Sequence, residues 1–182
     1  MALAIDRWQL AEGVNSAPFA LVSEVAHGLR IAAPNAAARD AGVCAGTMLT
    51  DARAICPALT VTPGDPTGDL AFLERLALWV QRWGPWSALD PPDGLLVDVT
   101  GVAHLYGGEQ ALLADAAMRL KARGLTVRLA LAPTAGAAWA LSHYGDGHAI
   151  CYPGSSLDDL PIASLRLDPA VQLVLRRLGL KR

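Results

Sequence analysis

The stretch DPPDGLLVDVTG, residues 90–101, holds three aspartates within nine positions, and two of them, Asp93 and Asp98, flank the apolar run Leu95-Leu96-Val97. Carboxylates held at strand ends are hard oxygen donors of the kind that bind Mg2+. Two such ions bridged by carboxylates activate a hydroxyl and neutralise a transferring phosphoryl group. A further acid, Asp6, closes the short apolar run Leu3-Ala4-Ile5. Each acid also has a plainer reading. Asp93 lies in Pro-Pro-Asp-Gly, where an aspartate bonds to its own backbone in a turn. Asp98 suits a hydrogen-bonding place at a strand end, and Asp6 a purely structural place at the end of a sheet. Asp90 would join a metal site only through a loop shift, which Pro91 and Pro92 oppose by stiffening the chain. From the residues alone, metal ligation and structural use both stand open.

Other reactive side chains carry less. Cys44, Cys56 and Cys151 are odd in number and form no CxxC pair, which fits buried thiols better than zinc or disulfides. His27, His104, His143 and His148 lack ligand spacing, and surface or capping roles are expected. Gly107-Gly108 has no GxxxxGK[ST] around it and reads as a turn into a helix. Trp8, Trp79, Trp83, Trp86 and Trp139 are mostly at helical spacing and read chiefly as core.

The elements that must position these groups follow from periodicity. Strands are expected at Leu3–Ile5, at Phe19–Val22 and at Leu29–Ala33, the last two joined across Glu24–Gly28. After Pro34 come short alanine-rich helices: Asn35–Ala41 closing at Gly42, and one capped by Thr47 that runs to Ile55 before Pro57. Residues 62–69, TPGDPTGD, are turn-rich and lead to an amphipathic helix with Leu70, Leu73, Leu76, Ala77, Val80 and Trp83 on one stripe. A strand at 93–99 precedes a helix at Glu109–Arg123, with Gly124 just past its end. Thr126–Ala132 reads as a strand, and a helix starts at Thr134 and closes at Tyr144-Gly145. Asp168-Pro169 is an N-cap and N1 pair for a last helix ending at Gly179. Residues 1–6, 93–99 and 126–132 are expected in one sheet, with helices 69–83 and 109–123 on one of its faces, because such apolar stripes need a flat partner.

A 53% apolar composition is enough for a full core. The net charge of -2 argues against a basic face over the whole chain, so any nucleic-acid contact must be local. No apolar run reaches the roughly 20 residues of a membrane span, and the opening MALAIDRWQL lacks a basic n-region, so a cytoplasmic location is expected.

Four stretches in this order resemble the Y-family (UmuC-like) translesion DNA polymerases, and within them the polymerase-like ImuB proteins. They are LAIDRW, NAAARDAGVCAGTMLTDARAICPAL from Asn35 to Leu59, LDPPDGLLVDVTGVAHLYGGE from Leu89 to Glu109, and LALAPTAGAAWALSHYG from Leu129 to Gly145. The resemblance implies an α/β (α+β) fold: a ferredoxin-like palm from residues 1–34 and 60–154, helical fingers from 35–59, and the start of a helix-hairpin-helix thumb at 155–182. The little finger of that family has no counterpart in these 182 residues.

For the site, the resemblance implies three carboxylates around Mg2+. Asp6 matches the first and Asp93 the second, but Gly94 occupies the position of a glutamate. The triphosphate clamp, a tyrosine and an arginine three residues apart, is represented by Ala36 and Arg39. The sugar-selecting aromatic falls near Ala11, and an expected lysine falls at Pro133. The expectation is therefore a catalytically inactive homologue that needs no cofactor, with weak Mg2+ binding by Asp6 and Asp93 as the residual case. Such a protein would serve as an adaptor in DNA repair by damage-induced (SOS) translesion synthesis and mutagenesis. The implied partners are an ImuA-type RecA-like protein, an error-prone C-family DNA polymerase, the sliding clamp and DNA. Arg166, Arg176, Arg177, Lys181 and Arg182 stand against the single acid Asp168 between residues 160 and 182, as a candidate DNA-backbone contact or a plain solvated face. Two alternatives remain at this stage: an active low-fidelity polymerase using Asp6 and Asp93, and a ferredoxin-like protein-interaction module with no DNA role.

Overall fold

Leu3 and Ile5 alternate like a strand, yet the segment around them, LAIDRWQLAE, is rich in helix formers and has one β-branched residue. In the computed structural model, which describes residues 2–13, 16–147 and 149–180, it is a helix, α1 (Leu3–Glu12), ended by Gly13 at φ 98°. The expected first strand is therefore a helix. The next two strands form as expected: β1 (Phe19–Val25) and β2 (Gly28–Pro34) make an antiparallel hairpin. Beyond them β3 (Thr60–Pro63) runs parallel to β1, giving the order β2-β1-β3.

The period of two along β1 sorts its side chains between two cores. Ala20 and Val22 join Ile31 in a cluster with Ala38, Val43, Ala52, Cys56 and Leu59, supplied by α2 (Ala36–Asp40), α3 (Leu49–Ile55) and their flanks. Phe19 and Leu21 point the other way, to Ile5 of α1, where the Trp8 ring stacks on Phe19 with centroids 4.0 Å apart. Helix α3 is preceded by Met48, which offers no side-chain cap, so the expected cap at Thr47 is corrected.

Helix α4 (Pro66–Val80) starts where Asp65 accepts the Gly68 N–H at 2.9 Å, with Pro66 at its first position. It buries Leu73, Leu76 and Val80. The helix lies on a two-stranded ribbon of β4 (Trp86–Asp90) and β5 (Gly94–Asp98), and the Ser87 hydroxyl donates to the Ala77 carbonyl at 2.9 Å. Arg7 of α1 ties to α4 through Asp69, Nε to Oδ1 at 2.6 Å, and through Asp65 at 3.1 Å.

The chain divides into two compact units, one running to Asp98 and taking in Lys121–Thr126, the other holding Val99–Leu120 and everything from Val127 onward. In the second, α5 (Glu109–Ala122, its last two residues counted with the first unit) begins after Gly108, and β6 (Ala130–Leu131) pairs in parallel with β7 (Ala149–Ile150). Between those two strands runs α6 (Ala135–Tyr144), its N-cap Thr134 accepting from the Ala137 N–H. Helix α7 (Pro169–Arg177) is capped by Asp168, as its sequence announces.

The expectation of one sheet through residues 1–6, 93–99 and 126–132 is corrected. Among the described residues the first segment is helical, the second pairs only with β4, and of the third only Ala130–Leu131 is strand. Strands β3, β4 and β7 have no counterpart in the periodicity. They are two to five residues long, and β3 opens the turn-rich stretch that masks it.

Candidate functional site

The two acids matched to metal ligands are placed by different kinds of element. Asp6 lies on α1 and is 3% exposed. Its Oδ2 accepts the Thr126 backbone N–H at 2.6 Å and its Oδ1 accepts the Thr126 hydroxyl at 3.1 Å. The Ala2 N–H donates to the Thr126 carbonyl beside them, so one residue holds the start of α1 at three points. Burial raises the carboxyl pKa above its ordinary value near 3.8, while the Thr126 bonds and the nearby Arg39 charge oppose the rise.

This raised pKa has a definite sign. Between the ordinary value and the raised one, the folded state holds a proton that the unfolded chain has lost, so stability falls as pH rises through that window. Asp6→Asn keeps a carbonyl for the Thr126 N–H and removes the titration. Urea unfolding of the two proteins should give stabilities within about 1 kcal/mol near neutral pH. The wild type should gain on the variant as pH falls through the window that ends at the ordinary value near 3.8. A difference independent of pH would show that burial does not govern this carboxyl.

Asp93 sits in the turn between β4 and β5, whose last pair joins Asp90 to Gly94. The turn holds a cis peptide bond between Pro91 and Pro92. Gly94 packs against the strand it faces: a Cβ there would lie 2.7 Å from the Asp90 carbonyl oxygen and 3.1 Å from the Asp90 Cβ. Asp98 ends β5, exposed and opposite Trp86. Among the described residues, no three His, Cys, Asp or Glu side chains form a group able to hold a metal ion.

The positions matched to the triphosphate clamp, Ala36 and Arg39, sit on α2. Ala36 is exposed at its first turn, and Arg39 turns back so that Nη1 donates to the Pro34 carbonyl at 2.9 Å. Ala11 is exposed near the end of α1, and Pro133 is exposed just before the cap of α6. Of the basic residues near the C-terminus, Arg166 lies over the Trp139 ring at 4.6 Å with its backbone at φ 55°. Arg176 and Arg177 occupy the last turn of α7, while Lys181 and Arg182 lie outside the described residues, as does His148. Two further expectations are corrected. Cys44 is exposed while Cys56 and Cys151 are buried, and Trp86 is 75% exposed rather than core.

Periodicity missed Asn35, which is 2% exposed and joins β1 to α2. Its Oδ1 accepts from the Phe19 N–H at 3.1 Å and the Ala38 N–H at 2.9 Å, and its Nδ2 donates to the Ala17 carbonyl at 2.8 Å. A signal for the cap was present, since asparagine directly before Ala-Ala-Ala-Arg is a favoured N-cap. Nothing local announces the bond to Phe19.

This architecture, a strand hairpin with helical fingers and an acid-bearing ribbon backed by a helix, is the palm and fingers fold of the Y-family DNA polymerases. The chain superposes over its whole length on 56% of Dbh DNA polymerase in an insertion ternary complex, with a TM-score of 0.80 at 18% identity. DinB from Sulfolobus solfataricus gives 0.77 at 19% identity, again over 100% of this chain and 56% of that one. A profile of the impB/mucB/samB family matches residues 8–143, and the chain belongs to that family. It is 45% identical over 144 residues to Protein ImuB of Caulobacter vibrioides strain NA1000 / CB15N, and equally to that of strain ATCC 19089 / CIP 103742 / CB 15. The match takes in 78% of this chain but 31% of those curated relatives, so the chain spans about a third of their length.

Proposed function

We propose that the protein is a catalytically silent member of this family, acting as an adaptor in DNA-damage-induced translesion synthesis rather than as the polymerase. The observation that carries the reading is Gly94. Phosphoryl transfer on such a palm needs carboxylates converging on Mg2+, and the position matched to a glutamate holds a glycine with no room for a Cβ beside the Asp90 carbonyl. The remaining donors fit Mg2+ poorly. Both oxygens of Asp6 already accept from Thr126, and Mg2+ requires near-ideal octahedral oxygen geometry. Ala36 supplies no hydroxyl beside Arg39, so stabilisation of a developing triphosphate charge is also reduced.

In this reading residues 35–59 serve as fingers and residues from 155 onward begin a thumb, whose arginines hold DNA by its phosphates without reading sequence. A RecA-like ImuA-type protein, an error-prone C-family polymerase and the sliding clamp are the proposed partners, with synthesis done by the polymerase. The test is primer extension by the full-length protein with Mg2+ or Mn2+. No extension is expected, Gly94→Glu is expected to confer none, and Asp93→Ala is expected to leave damage-induced mutagenesis in cells at the wild-type level. Template-directed extension that disappears in Asp93→Ala would overturn the proposal in favour of an active polymerase.

A further inference from the structure

Helix α4 buries Leu73, Leu76 and Val80 on one side. At 100° per residue, Arg75 and Leu78 fall together on the opposite side, Arg82 follows in the 3-10 turn Gln81–Trp83 that continues the helix, and all three are exposed, Leu78 by 69%. The arginines on this outer face rest against aromatic rings. The Arg82 guanidinium lies 4.0 Å from the centroid of Trp79 and its Nε donates to the Trp79 carbonyl at 3.1 Å. Arg123, arriving from beyond α5, lies 4.1 Å from the same centroid. Both guanidinium groups therefore lie against the Trp79 ring. Arg75 lies 5.7 Å from the Phe72 centroid.

We propose that the outer face of α4 docks an acidic amphipathic helix of a partner protein, with Leu78 as the apolar contact and Arg75 and Arg82 as carboxylate clamps. This goes beyond the proposed adaptor role and stands without it. Arg75 and Arg82 are seven residues apart, about 11.5 Å along the axis because the last two steps are 3-10, close to the spacing of carboxylates two turns apart on a second helix. A guanidinium offers a planar fork of N–H donors that matches a carboxylate in two parallel bonds. Resting on a ring, it has less freedom left to lose on binding. The same stacking disfavours nucleic acid, because single-strand binding draws on open aromatic faces for bases and two guanidinium groups already lie against the Trp79 ring. Leu78, midway between the two arginines, calls for an apolar side chain that a phosphate backbone lacks.

Fluorescence anisotropy on the 182-residue chain tests this with a labelled helical peptide of roughly 18 residues, long enough to hold helix, carrying Glu at i and i+7 and Leu at i+3 and i+4. The acidic peptide is expected to bind, more weakly as salt rises. Arg75→Glu with Arg82→Glu is expected to weaken it about tenfold or more, and a peptide with Lys in place of both Glu should prefer that variant to the wild type. Leu78→Ser should weaken binding while leaving its salt dependence in place. All three side chains are exposed, so melting temperatures should stay close to wild type, and Arg75→Gln with Arg82→Gln serves if the reversal unfolds. No binding of the acidic peptide, or equal binding by wild type and variant, would overturn the proposal. So would single-stranded DNA that binds the wild type and is lost with the same two substitutions, which would make this a nucleic-acid face.

Discussion

Asn35→Ala is expected to lower the stability of the chain by about 3 kcal/mol, the sum of a lost helix cap and buried backbone groups left without partners. The buried amide serves two elements at once. Its oxygen takes the Phe19 N–H of β1 and the Ala38 N–H of α2, and its nitrogen takes the Ala17 carbonyl. Alanine removes the acceptor of the Phe19 and Ala38 N–H groups, whose bonds are buried and where water does not easily replace it, while Ala17 is exposed and its carbonyl loses less. Asn35→Asp separates the parts. The carboxylate keeps both acceptor bonds but turns an oxygen toward the Ala17 carbonyl, so an intermediate loss of about 1 to 2 kcal/mol is expected. Urea unfolding followed by circular dichroism measures both, and a loss below about 1 kcal/mol for alanine would show that the cap is not shared. Since α2 carries Arg39 and Ala36, the same substitution tests how firmly these two positions are fixed to the central strand.

What was legible in the sequence divides along physical lines. The hairpin of β1 and β2, the stripe of α4 and the Asp168-Pro169 start of α7 were readable because each is written locally, in period and punctuation. Helix α1 was misread because Leu3 and Ile5 alternate over three residues, too short a span to separate a period of two from one of 3.6. Strands β6 and β7 exist only as a two-residue pair across α6, a partnership no window of sequence reports. The residue types on which the proposed inactivity rests, Gly94 and Ala36, were visible in the sequence. Their surroundings were not, because the crowding of Gly94 by Asp90 is a cross-strand matter and the bond from Thr126 to Asp6 spans 120 positions. The arrival of Arg123 on Trp79, 44 positions away, was hidden for the same reason.

Gly84 should be among the least replaceable residues in the chain, with Gly84→Ala expected to cost about 3 kcal/mol or more through overpacking against backbone. Its φ is 177°, ordinary extended backbone, so the demand for glycine here comes from space alone. A Cβ at this position would collide with the Asp98 carbonyl oxygen and lie 2.9 Å from its carbon, with Val97 Cγ1 at 3.2 Å. Backbone atoms at the end of a paired strand have no rotamer by which to retreat, so either the turn after Trp83 or the end of β5 must move. Trp83 is buried and its ring meets Trp79 edge-on at 5.1 Å, which restrains the first route. Displacement of β5 would shift Asp98 and weaken its pairing with Trp86, the ribbon's last rung. The control is Gly136→Ala, in the first turn of α6, where a Cβ meets nothing within 4 Å. There the smaller entropy of the unfolded chain should add about 0.5 to 1 kcal/mol. Parallel thermal and urea unfolding of the two variants separates the effects, and a Gly84→Ala protein as stable as wild type would mean that the strand end yields more freely than its pairing implies.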